Sequence, residues 1–239
     1  MNPKCVAFVR LIAISFTFWV FSAEARSQEA WVDPWLENSQ VPAIAAKAPG
    51  FNHGTSLCSI HAYLRKLNPR GANLRAGPGR NFLIVARIAG ANPEDDMQPE
   101  FQVIGARNGW LMIHDPHWAE YGADNPQVLY KGSAWVAPGL IAFDMEGYTL
   151  FSKPRIGAAV LLALKGPEEE WTGANVRVEQ VHGCSGGFLD ITVRKKDGTR
   201  SRGWFAAICG NQGTTCSFGN EPLMIEERRG KLISATDPE

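Results

Sequence analysis

The sequence predicts an all-β protein, built as two small barrels in tandem behind an export leader. Three observations carry that expectation. Short apolar segments alternate in period two between Gly, Pro and Asn turn signals, with no helix-length periodic stretch. The order of those segments runs twice along the chain. Finally, 24 Gly and 15 Pro in 239 residues are too many for a helical protein, yet too few for a low-complexity one. Charge and composition exclude other classes. The 24 Lys and Arg balance 24 Asp and Glu, which argues against a basic nucleic-acid binder. A hydrophobic fraction of 45% excludes wholesale disorder.

The first segment reads as an address. Lys4 and Arg10 precede the apolar run Leu11 to Phe21, and Ser22-Ala23-Glu24-Ala25 closes it with small residues. That is the pattern of a secretory signal peptide over residues 1–25, cleaved after Ala25. The competing reading, an uncleaved anchor, meets a run too short to cross a bilayer. The expected location is periplasmic or secreted, with no stable membrane span after cleavage. Residues 26–57 read as an irregular leader, in which Trp31, Trp35 and Phe51 stand among Pro34, Pro42 and Pro49. Those aromatics suit an anchor on the body. Residues 227–239 read as a polar tail.

Cleavage removes Cys5 and leaves Cys58, Cys184, Cys209 and Cys216. An even set in an exported chain suggests disulfides. Three pairings are open, and sequence alone does not choose among them. The short, turn-rich stretch Gly210 to Thr215 favours Cys209 with Cys216, leaving Cys58 with Cys184.

The first unit spans residues 58–143. Ser59 to Leu67 alternates, with Ile60, Ala62 and Leu64 on one face. Asn68-Pro69-Arg70-Gly71 turns, and Ala72 to Gly79 runs into a loop stiffened by Pro78. Phe82 to Ala89 and Phe101 to Ala106 are apolar strand candidates. Asn108-Gly109 is a hairpin signal before the strand Trp110 to His114. Trp135-Val136-Ala137 closes the unit. The second unit, residues 144–226, repeats the order. Leu150 to Pro154 answers Leu74 to Pro78, and Ala158 to Leu164 answers Phe82 to Ala89. Val176 to Val181 and Phe188 to Val193 follow, and Gly203-Trp204-Phe205 closes. The stretch from Trp110 to Trp135 exceeds that from Phe188 to Trp204, so an extra loop centred on His114 to Lys131 is expected in the first unit.

These residues resemble a known family. Asn73-Leu74-Arg75-Ala76-Gly77-Pro78-Gly79, then Gly109-Trp110, then Gly132-Ser133-Ala134-Trp135-Val136, look like a bacterial SH3-like (SH3b) domain. Leu74 stands where Val is usual, and two residues separate Gly132 from Trp135. The second unit resembles a degenerate copy, with Leu150-Phe151-Ser152-Lys153-Pro154 where the Arg would be, Gly187-Phe188 for Gly-Trp, and Gly203-Trp204-Phe205. Its ending, from Ile208-Cys209-Gly210-Asn211 to Thr214-Thr215-Cys216, is similar to tandem forms exported by Gram-negative bacteria. The resemblance implies a five-to-six-stranded, partly open barrel that binds envelope material or peptides, without catalysis.

Cys184, in His182-Gly183-Cys184-Ser185-Gly186-Gly187, invites a cell-wall hydrolase reading. No His follows it in the chain to serve as base, and strand-like residues flank it. His114 and His117 with Asp115 suit zinc by type but lack further ligands at a telling spacing. No phosphate loop or Gly-x-Ser-x-Gly stretch occurs. No catalytic residue, metal or cofactor is therefore expected. Arg194, Lys195, Lys196, Arg200 and Arg202 read as a solvated basic hairpin. Arg75 is expected to brace its loop through backbone carbonyls. The proposed contact residues are Phe82, Trp118 and Tyr121. The expected function is a non-enzymatic envelope binding module for a peptide, a peptidoglycan fragment or a protein partner. The alternatives are a structural adaptor subunit and a hydrolase using Cys184.

Overall fold

Alternation in the first strand sets the architecture. In Ser56–Leu64 (β1) every second residue is buried, so Cys58, Ile60, Ala62 and Leu64 face one interior. A pleated strand puts consecutive side chains on opposite faces, and the apolar set fixes which face turns inward. The computed structural model describes residues 39–65, 70–90, 98–118, 127–145, 149–164, 176–206, 208–209 and 216–217. The signal peptide (1–25), most of the leader, the polar tail (227–239) and Tyr121 lie outside those residues.

The first sheet takes its strands from residues 56–142. Ala72–Arg75 (β2), Ile84–Ile88 (β3), Pro99–Arg107 (β4), Trp110–Trp118 (β5), Gln127–Val128 (β6), Ser133–Val136 (β7) and Ile141–Ala142 (β8) join β1. Their order is β3-β2-β7-β5-β4-β1-β8, with β6 paired to β5. Asp144–Met145 (β9) then leaves for a small third sheet with Ile208–Cys209 (β15) and Cys216–Ser217 (β16). The second sheet is built from Thr149–Phe151 (β10), Val160–Ala163 (β11), Val176–Ser185 (β12), Phe188–Lys195 (β13) and Arg200–Phe205 (β14), in the order β11-β10-β14-β13-β12. Position by position this repeats β3-β2-β7-β5-β4. The repeat extends to detail. Arg75 faces Trp135 as Phe151 faces Trp204, and both β2–β3 and β10–β11 slip register just after the matching Leu74 and Leu150.

The inner faces share one core. Leu74, Phe101 and Ile113 from the first sheet cluster with Leu150, Leu189 and Phe205 from the second. All the described residues belong to one compact unit, Val32–Glu239. A disulfide between Cys58 on β1 and Cys184 on β12 joins the two sheets, with Cα atoms 5.8 Å apart. Outer faces carry smaller clusters. On the second sheet, Phe151, Phe188 and Ala206 pack together. On the first, Ile104, Met112 and Trp135 are covered by Val41 and Ala45 of a short helix, Val41–Ala46 (α1).

Two differences from the sequence reading have physical causes. The sequence offers no helical period in the leader, but α1 begins there with Pro42 in its first turn, where a missing N–H costs nothing. Its six residues are too few to display a helical period. The expected loop from His114 is strand as far as Trp118. Asp115 takes a positive φ of 38° and lets the strand bulge past Pro116.

Candidate functional site

The repeated hairpins build matching edges. In the first, the Arg75 Nη1 donates to the Phe82 carbonyl at 2.7 Å, as a bracing arginine should. The Ala76 N–H donates to the Leu83 carbonyl, Gly79 to Gly77, and Phe82 to Gly79. The same ladder recurs at a constant offset in the second: Ser152 to Ala159, Arg155 to Lys153, Ala158 to Arg155. Phe151 replaces Arg75 there and packs edge-on against Phe188, centroids 6.3 Å apart. Each loop delivers the chain to a strand at the end of its sheet, β3 in one and β11 in the other. Those strands expose aliphatic side chains. Leu83 is 75% exposed, Ile84 46% and Val85 37%; Val160 is 59% exposed and Leu161 48%. Among the described residues, β3 pairs with β2 alone and β11 with β10 alone. Each therefore presents one row of backbone N–H and C=O groups without a strand partner.

A cavity of about 330 Å³ lies between the β8–β9 segment and β12. Pro138, Ile141, Phe143, Val176 and Val181 supply apolar walls, and Arg65, Asp144 and Glu179 bring charge. Three acidic groups meet beside it. The Tyr63 hydroxyl donates to Asp144 Oδ1 at 3.1 Å, and Glu100 stands opposite Tyr63 in the β1–β4 register. Glu100 is only 3% exposed. Burial, and then the charge of Asp144, hold its carboxyl up to about 7. Burial also raises Asp144, against the opposing pull of the Tyr63 hydrogen bond. The Tyr63 phenol is pushed upward by burial and by Asp144. This cluster holds a proton near neutrality. Among the described residues, no group of three or more His, Cys, Asp or Glu is placed to share a metal ion.

The other sequence candidates are accounted for locally. The Cys184 sulfur is bonded to Cys58, so in this oxidised form it offers no thiolate. His114 Nδ1 lies 2.9 Å from Ser133 Oγ, and Asp115 accepts the Gly132 N–H. Burial lowers the His114 pKa, opposed by Asp115. His117 Nδ1 sits 2.9 Å from the Asp115 carbonyl, so the two imidazoles serve the bulge. His182 Nε2 lies 2.8 Å from Thr192 Oγ1. In the basic hairpin, Arg194 and Arg200 both engage Glu179, and Arg202 grips Asp190 through two bonds. Cys209 and Cys216 are directly opposed across β15–β16, while their side chains lie outside what is described.

Of the proposed contact residues, Phe82 and Trp118 fall among the described residues. Phe82 is half-buried over Gly77, where an added Cβ would come within 2.2 Å of its ring. Trp118 is half-buried at the end of β5, opposite Pro99 and Gln127. No ring contact joins the two among the described residues. Sequence reasoning marked Phe82 to Ala89 and Ala158 to Leu164 as apolar strands but did not single out Leu83 to Val85 or Val160-Leu161 as exposed, because an unbroken apolar run has no period that separates its faces. It also passed over Tyr63, Glu100 and Asp144. Comparison with family models, with curated proteins and with solved structures finds no match for this chain.

Proposed function

We propose that this chain is an exported, non-enzymatic binding protein of the bacterial cell envelope, with two SH3-like units in tandem. It recognises a protein partner through an extended segment. One observation carries the reading: the strand order of the first sheet recurs in the second, and each copy ends in an edge strand that exposes aliphatic side chains. Natural proteins blunt such edges unless they are used, and an added strand satisfies both the backbone and the apolar surface. Exposed aliphatic rather than aromatic side chains favour a polypeptide over a glycan as the occupant. The disulfide agrees with an oxidising compartment. Photo-crosslinkers placed at Leu83 and Val160 in intact cells should capture an envelope protein. Capture of none, with the chain retained on purified sacculi, would replace this reading by peptidoglycan binding.

A further inference from the structure

Both edge hairpins carry charge of one sign only. Residues 70–90 contain Arg70, Arg75, Arg80 and Arg87 without an Asp or Glu. Residues 149–164 contain Lys153 and Arg155, again without an acid. Acidic runs follow each hairpin in sequence, Glu94-Asp95-Asp96 and Glu168-Glu169-Glu170, outside the described residues, so the bias belongs to the hairpins themselves. Arg80, Lys153 and Arg155 are exposed beside the aliphatic edges. Arg87 is exposed on β3 itself, its guanidinium anchored on the Arg70 carbonyl.

From this we infer that β3 and β11 are two equivalent stations for acidic, apolar strand segments of a partner protein. Each segment adds to one sheet edge by backbone hydrogen bonds and lays aliphatic side chains on Leu83–Val85 or Val160–Leu161. Its carboxylates meet the flanking cations. The inference rests on the binding-protein reading and adds the partner's chemistry and a valence of two. Charge decides against a second copy of this chain as the occupant. Pairing β3 or β11 with β3 or β11 of another copy would bring cation against cation, which is a common device against self-association. Strand geometry decides against an anionic lipid surface, because the exposed residues run along sheet edges and not at an isolated loop tip. Two stations on one chain also raise avidity for a partner that offers two such segments.

The test uses the oxidised, exported chain and a fluorescein-labelled peptide that alternates Glu and Val over seven residues. A Lys-Val peptide of equal length and phosphatidylglycerol vesicles serve as comparisons. Two equivalents of the Glu-Val peptide should bind per chain, weakening as salt rises, with the Lys-Val peptide at least about tenfold weaker. Leu83→Glu should abolish one equivalent and Val160→Glu the other. Both side chains are exposed, so the thermal midpoint should stay put. Equal binding of both peptides, or vesicle binding without peptide binding, would overturn the inference. So would self-association of the chain that Leu83→Glu abolishes. If the two substitutions leave peptide binding intact, the assignment to these edges fails while the binding-protein reading stands. If crosslinking in cells captures no protein, that reading itself fails.

Discussion

Trp135 ties the segment ahead of β1 to the first sheet. It is fully buried on β7, donates from its indole Nε1 to the Pro49 carbonyl at 2.7 Å, and lies under the Arg107 guanidinium, 5.5 Å from the ring. Trp135→Ala should cost about 3–5 kcal/mol in chemical denaturation. Residues 39–51 should then become cleavable by protease before the body unfolds, since α1 packs on that ring. Glu100 predicts a pH dependence. Its folded pKa of about 7 exceeds its ordinary value of 4.5, so between those pH values the native state binds more protons than the unfolded one. Stability therefore falls as pH rises through that window and levels off above it. Glu100→Gln should flatten the slope and raise the denaturation midpoint at pH 8. A midpoint at pH 8 equal to that at pH 5 in the unmodified chain would contradict the assignment. Arg75 was legible from its neighbours Gly77 and Pro78, because a loop of that composition needs its carbonyls held. Glu100 was not, since the register that sets it against Tyr63 belongs to two strands far apart in sequence.

At the scale of elements, the hairpin loops are the parts the sequence described most fully. The match of Leu74–Pro78 with Leu150–Pro154 becomes the same hydrogen-bond ladder and the same slip of register. Gly77 shows why the residue type matters. Phe82 occupies the space a Cβ would take, so Gly77→Ala must displace the ring. A loss of about 1–3 kcal/mol in thermal or urea unfolding is expected. Gly109, which has a positive φ and nothing within 4 Å of an added Cβ, offers a control in which backbone strain acts without crowding. What sequence could not supply was position within the sheet. Phe82 to Ala89 and Ala158 to Leu164 read as apolar strands, with nothing in the sequence to say which of their positions face outward. Only Ala86, Ile88, Leu162 and Leu164 turn to the core, because their strands lie at the ends of their sheets. Period two cannot separate an edge from a centre when both faces are apolar. Likewise, the longer Trp110–Trp135 spacing points to a loop from His114, because spacing does not reveal that a left-handed Asp115 lets the strand continue to Trp118.

The whole molecule departs most from a picture of two independent units. Strand order repeats from the first sheet to the second, and β8 and β9 on either side of residue 143 belong to different sheets. The core does not divide in the same way. Side chains of both sheets form one cluster, and Cys58–Cys184 crosses it. Unfolding should therefore be a single cooperative transition, seen as coincident loss of tryptophan fluorescence and of far-ultraviolet dichroism. Two separated transitions would show that the shared cluster contributes little. Reduction should lower the midpoint for the molecule as a unit. The disulfide spans a sequence separation of 126, for which chain entropy alone gives up to about 4–5 kcal/mol.

That same bond sets where tension travels. Everything from β2 to β11 lies between Cys58 and Cys184 along the chain, so a pull applied outside this ring is carried across the sulfur bridge and bypasses both hairpins. Drawn out by its two ends, the chain would lengthen in its flanks while the looped segment between the cysteines stayed slack.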